Sequence, residues 1–176
     1  MLLGRTYVRT RELFVRVIGI DPGLTRLGYG IVEEKKGSLT AISFGTLRGE
    51  GSDAGAKLVA LRTRLAELMA KHRPDVAAVE RLFVNKNRRT ATHVGRASGV
   101  AMMALSEHGL AVTEYGPMEV KMSLTGYGNA TKEQVGYMVK SLLRLQSDPD
   151  SPDAADALAV AICHVHSRRL KEAAFT

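Results

Sequence analysis

The stretch Val17-Ile18-Gly19-Ile20-Asp21-Pro22-Gly23 decides how the rest of the chain is read. Val17, Ile18 and Ile20 are strong strand formers, and Pro22-Gly23 stops the strand and turns the chain. The strand therefore ends on a carboxylate that has no cation beside it in sequence. A buried charge needs a partner, a metal or a proton. Asp21 either caps the turn that follows or belongs to a site. Three further acids in matching contexts favour a site.

Beyond this turn, residues 28–34 and 39–47 read as two more strands, joined by the hairpin signal Lys36-Gly37. With the first strand, about 15–21, they make an antiparallel meander. The glycines of residues 21–30 are only a weak sign of a phosphate loop, because no helix follows to offer its N-terminus. A helix capped by Ser52 or Asp53 runs to about His72, with Leu58, Leu61, Leu65 and Leu68 inward. Pro74 ends it. Val76-Ala77-Ala78-Val79 is then a short strand, again ending on an acid, Glu80. In open α/β sheets, sites gather at the carboxyl ends of strands.

Glu80 leads into Arg81-Leu82-Phe83-Val84-Asn85-Lys86-Asn87-Arg88-Arg89. Cations for phosphates and an aromatic for bases make this a candidate nucleic-acid loop; the alternative is that Phe83 packs beneath it. A helix over 88–107 carries Gly95 and Gly99 one turn apart. Glycine costs a helix about 1 kcal/mol relative to alanine, so close approach of another element is the expected compensation. Residues 110–115 are the fifth strand and 117–124 a short helix. Residues 125–130 read as a flexible loop flanked by Lys121 and Lys132, which are either site residues or solvated surface lysines.

Thr131 and Gln134 have the spacing of a capping box and open the next helix, with Val135, Met138, Val139, Leu142 and Leu143 inward. Ser151 caps the last helix and Pro152 takes its first position. Asp153 and Asp156, three apart, share a face near its start, where the helix dipole favours negative charge. The alanines that follow let this helix lie close to the sheet. His164 and His166 read as structural or surface groups.

The 176 residues are enough for one domain with a proper core. The single cysteine, Cys163, excludes an internal disulfide and a cysteine-built zinc site, and suits a reducing cytoplasm. The longest apolar runs, near 100–105 and 157–163, are too short to span a membrane. The net charge of +7 favours a polyanionic partner, nucleic acid first. Residues 1–14 carry Arg5, Arg9 and Arg11 without a core pattern or a signal-peptide h-region, and read as a basic leader, disordered or loosely attached.

Asp21, Glu80, Asp153 and Asp156 form an acidic set inside a basic protein. Carboxylates about 4 Å apart repel by about 4 kcal/mol per pair at an effective dielectric of about 20. Such a cluster holds protons or a cation, and all-oxygen donors select hard ions, Mg²⁺ or Mn²⁺. Two such ions can activate water and stabilise the leaving oxygen of a phosphodiester. An acidic metal pocket on a basic surface is the charge layout of a nuclease.

Together, Gly19–Gly23, Tyr29-Gly30, Val79-Glu80 with Phe83 and Lys86-Asn87, Gly126-Tyr127-Gly128 with Ala130 and Lys132, and the 153–159 run resemble the RuvC family of bacterial Holliday junction resolvases. The likeness covers about residues 15–170, in order and at family spacing. It implies an α/β, ribonuclease-H-like fold with a five-stranded mixed sheet flanked by helices. It implies a homodimer, Mg²⁺-dependent paired nicks across a four-way DNA junction, and partnership with the RuvA and RuvB branch-migration complex. The acidic quartet of the family falls on Asp21, Glu80, Asp153 and Asp156; some members have His at the third position. The basic residues near the scissile phosphate fall on Lys121 and Lys132, and the junction-centre aromatic on Phe83. The departure is the leader. The usual initiator Met falls near Val15, so residues 1–14 are expected to be an over-extended start or a dispensable arm, with 15–170 the nuclease domain and 171–176 a tail.

Two rivals are weaker. Actin-like ATPases and sugar kinases share the Gly-Ile-Asp-Pro-Gly strand but need a second, related domain for which 176 residues leave no room. A non-enzymatic DNA-binding module explains the charge but not the four acids.

Overall fold

A computed structural model describes residues 14–81 and 88–174, with the side chains of residues 88–90 excepted. The leader as far as residue 13 lies outside these residues, as do Phe83 and Lys86. So do the side chains of Arg88 and Arg89.

Three strands, β1 (Phe14–Asp21), β2 (Arg26–Lys35) and β3 (Ser38–Arg48), form the expected antiparallel meander. Helix α1 (Ala54–His72) leads to β4 (Val76–Glu80), and α2 (Arg88–Glu107) to β5 (Ala111–Tyr115). β4 runs parallel to β1, and β5 parallel to β4. The sheet order is β3-β2-β1-β4-β5. Three helices follow: α3 (Pro117–Thr125), α4 (Lys132–Leu143) and α5 (Pro152–Ala174). Residues 171–174, set apart as tail in the sequence reading, are the last turn of α5.

The β1 pattern sorts the core into two layers. Ile18 and Ile20 face α1 and α2, packing with Leu61, Leu65, Ala101 and Leu105. Val15 and Val17 face the other way, onto α5 and α4. Along α1 the inward residues are Leu61, Leu65 and Met69; Leu58 and Leu68, expected in the core, are only half-buried.

The helix starts follow the local chemistry. Asp53, rather than Ser52, caps α1, accepting from the Ala56 N–H at 2.9 Å. Thr131 and Gln134 close a reciprocal capping box on α4, at 3.3 and 2.9 Å. Ser151 Oγ accepts from the Ala154 N–H at 3.1 Å, with Pro152 in the first position of α5.

The glycines of β1 and β2 explain how α5 sits. A Cβ on Gly19 would collide with the backbone carbonyl of Ala157, and one on Gly28 with that of Asp153. One on Gly30 would stand 2.8 Å from the Leu158 nitrogen. The sequence raised Gly28 and Gly30, with Gly23, as a weak phosphate-loop signal. Gly28 and Gly30, together with Gly19, are instead a bare track on the sheet, along which the alanine-rich helix lies backbone to backbone.

The loop after α3, expected to be flexible, is a hydrogen-bonded turn. Gly126 takes a left-handed conformation, φ 73°, and its N–H donates to Met122 O at 2.9 Å. Thr125 Oγ1 donates to Lys121 O at 2.8 Å and accepts from the Tyr127 N–H at 3.1 Å.

Candidate active site

Side chains alternate along a strand. Asp21 therefore shares a face with Val15, Val17 and Gly19, the face covered by α5. Glu80 shares that face with Val76 and Ala78, which also pack in the α5 layer. The parallel register sets Ile20 beside Val79, so the two acids leave adjacent strands at the same level. The start of α5 lies across these strand ends and adds Asp153 and Asp156. Backbone contact at Gly28 fixes the height of Asp153.

The four carboxylates line one cavity of about 420 Å³, and Lys121, Lys132, Pro117 and Val120 complete its wall. Sequence reasoning placed the acids on three separated segments and the lysines on either side of a loop; the fold brings all six residues together. Lys132 Nζ lies 2.9 Å from Asp156 Oδ2. This carboxylate holds the Lys132 ammonium pKa above its ordinary value.

One site residue escaped the sequence reading. Arg26, at the start of β2, donates from Nε to Asp153 Oδ2 at 3.0 Å, and its Nη2 lies 2.9 Å from the same oxygen. Its signal was a cation five residues beyond the first acid, but nothing in sequence tied it to a helix 127 residues away. Arg81, grouped above with the basic loop, is also engaged: its Nη2 lies 2.9 Å from Glu119 Oε2. That carboxylate also accepts from the Gly116 N–H at 2.7 Å. Arg81 thus ties the end of β4 to the start of α3.

The remaining two acids carry no cation. Burial, then the charges of Glu80 and Asp156, push the Asp21 carboxyl up to about 8. Burial and Asp156 also raise Glu80, opposed by its hydrogen bond with Asp21 and by Lys132. Two carboxylates in this position share a proton unless a cation joins them. Among the described residues no three ligating side chains stand close enough to hold one ion as placed. Arg26 holds one oxygen of Asp153, and Lys132 one oxygen of Asp156. The donor set nevertheless fits a hard divalent ion, being all carboxylate oxygen with a buried pair that resists ionising alone. Each of those ion pairs uses only Oδ2, which leaves Oδ1 of Asp153 and of Asp156 for an ion.

His164 and His166 take no part in the cavity. His164 Nδ1 pairs with Tyr115 Oη at 3.1 Å, and His166 Nδ1 with Ser123 O at 3.1 Å. They fasten α5 to β5 and α3, in the structural role expected of them.

A five-stranded mixed sheet whose acid-bearing strand ends meet a carboxylate-bearing helix, inside a basic chain, defines a ribonuclease-H-like nuclease. Its family follows from comparison. The profile of "Crossover junction endodeoxyribonuclease RuvC" matches residues 17–164. The chain belongs to the RuvC family. It is 43% identical over 159 residues to the RuvC of Caldanaerobacter subterraneus subsp. tengcongensis, covering 90% of this chain and 96% of that one. With the RuvC of Pelotomaculum thermopropionicum the identity is 46% over 160 residues, covering 88% and 98%. The structure of Thermus thermophilus RuvC in complex with a Holliday junction substrate superposes with a TM-score of 0.84 at 35% identity, covering 89% and 96%. The yeast mitochondrial Holliday junction resolvase Ydc2, at 15% identity and TM-score 0.63 over 90% and 82%, shares the fold. Among the described residues no helix is long and apolar enough to cross a membrane.

Proposed function

We propose that this chain resolves four-way DNA junctions by paired, metal-dependent nicks during recombination and repair. The observation that carries this reading is the convergence of Asp21, Glu80, Asp153 and Asp156 with Lys121 and Lys132 on one cavity. The four acids are the residues that would hold Mg²⁺ or Mn²⁺, two ions to a site. Such ions supply a nucleophilic water at neutral pH and stabilise the leaving oxygen.

The chain's own side chains do the rest. Lys121 and Lys132 border the cavity and grip the scissile phosphate. Phe83, Lys86, Arg88 and Arg89 continue from Glu80 and extend the grip, the cations on flanking phosphates. The Phe83 ring stacks on a base at the open centre of the junction, a contact worth about 1–3 kcal/mol. Plain duplex offers no such base, so cutting is tied to junction shape.

Symmetric cuts need two sites facing one junction, which a two-fold homodimer supplies. The exposed side of α2, with open space at Gly99 and an exposed Met103, suits that contact. In this reading residues 15–170 are the nuclease domain and residues 1–14 are dispensable. The cell would use the protein in the cytoplasm with the RuvA and RuvB branch-migration complex.

The test is cleavage of a synthetic four-way junction beside a duplex of the same sequence. Paired nicks in the junction with Mg²⁺, and none in chelator, are expected. Equal cutting of duplex and junction, or cutting in chelator, would sink the reading.

A further inference from the structure

Two arginines meet at the rim of the cavity. Arg26 opens β2 and Arg48 closes β3, and the register of that antiparallel pair sets them directly opposite each other. Opposed residues project to one face and are close neighbours, and like charges there repel. The face is that of α5: Gly28 and Gly30, two and four residues beyond Arg26, are the glycines the helix lies on. Of this pair only Arg26 has a counter-charge, Asp153. Arg48 is exposed, and among the described residues no carboxylate pairs with it. The backbone beneath them is pinned. The Gly49 N–H donates to Thr25 O at 3.0 Å, and a Cβ on Gly23 would strike Arg26 O.

We propose that Arg26 and Arg48 form a second phosphate site, which grips a backbone phosphate of the bound DNA strand next to the one in the cavity. Asp153 both lines the cavity and holds Arg26, so this site begins one side chain away from the chemistry. A guanidinium carries five N–H donors in a planar fork suited to phosphate oxygens. Asp153 uses the Nε donor of Arg26 and sits 2.9 Å from Nη2, which leaves the far edge of the fork and the whole of Arg48 for a ligand. An anion between the two supplies the charge the pair lacks and relieves their repulsion. The site rests on the proposed function, because its ligand is the strand whose scissile phosphate lies in the cavity.

The experiment is the salt dependence of junction binding, measured in chelator so that nothing is cut. Each phosphate contact contributes about 0.9 to the slope of log affinity against log salt. The Arg26→Gln/Arg48→Gln double variant should lose about that much slope. The losses in affinity of the two single variants should add to more than the double variant's loss, because both arginines share one phosphate. Arg48 bonds to no other described side chain, so Arg48→Gln carries the test should Arg26→Gln disturb the turn. Lys36→Gln, at the far end of the same hairpin, should bind as wild type. Wild-type affinity and slope in Arg48→Gln and in the double variant would overturn the site. So would an equal loss in Lys36→Gln, which would make the effect one of general surface charge. A wild-type protein that neither prefers nor cuts junctions would instead overturn the proposed function.

Discussion

Asp21 and Glu80 each stand one residue beyond Ile20 and Val79, which are fully buried. That position makes them hard to ionise together and useful as a pair. If binding rests on phosphate–cation contacts and chemistry on the ions the acids hold, the two can be separated. Asp21→Asn, Glu80→Gln, Asp153→Asn and Asp156→Asn should each keep junction affinity in a gel-shift assay. Each should lose more cleavage than the ~10–100-fold that removing a metal's outer-shell partner costs. Full cleavage by any one of them would remove that residue from the site. A second residue-scale expectation concerns His164. Burial holds its imidazole pKa below the ordinary 6.5. The folded state therefore binds a proton less readily than the unfolded state. Stability from this group is complete above pH 6.5 and is lost as pH falls from there through the depressed folded value. Denaturant midpoints should fall across that window, and His164→Gln should flatten the fall. An unchanged slope in the variant would assign the acid sensitivity to other groups.

At the scale of elements, the geometry of the candidate site depends on how closely α5 approaches the sheet. Overpacking costs about 1–3 kcal/mol, so Gly28→Ala and Gly30→Ala should each lower the melting temperature by roughly 2–12 °C in a chain of this size. The two should differ in activity. A Cβ on Gly28 presses on Asp153 itself, whereas one on Gly30 presses on Leu158, more than a turn further along. Gly28→Ala should therefore cut junctions more slowly than Gly30→Ala at a temperature where both are folded. Equal rates would mean that α5 shifts as a rigid rod. The same contact shows where sequence reading stops. Strands, helices and caps were legible because each rests on local chemistry: β-branched runs, Pro-Gly stops, and the Thr131–Gln134 and Ser151 caps. The four acids were legible because each ends a strand or opens a helix. The track of Gly19, Gly28 and Gly30 was not, since glycine in a strand gives the same signal for a turn, a ligand approach or a packed helix. Nor was the pairing of Arg26 with Asp153, which depends on a register and a crossover that no local pattern encodes.

For the whole molecule, the open question is what covers α2. Its inner face is settled: Ala97, Ala101, Ala104 and Leu105 are buried against the α1 layer. The sequence predicts close approach of another element at Gly95 and Gly99, and at Gly99 the described residues do not supply it. A Cβ on Gly99 would meet no neighbouring atom of the described residues within 4 Å. Met103, one turn further along the same side, is 47% exposed. A glycine that lowers helix stability by about 1 kcal/mol and is packed on by none of the described residues is accounted for if a second α2 comes close there. Gly99→Leu separates that use from a folding defect. In an isolated subunit the change is favourable, because leucine is a better helix former and has open space around it. Circular dichroism should therefore show undiminished helix content. Light scattering should show monomers, and these monomers should bind junctions weakly and leave single, unpaired nicks. A dimeric, fully active Gly99→Leu would move the two-fold axis to another face of the molecule.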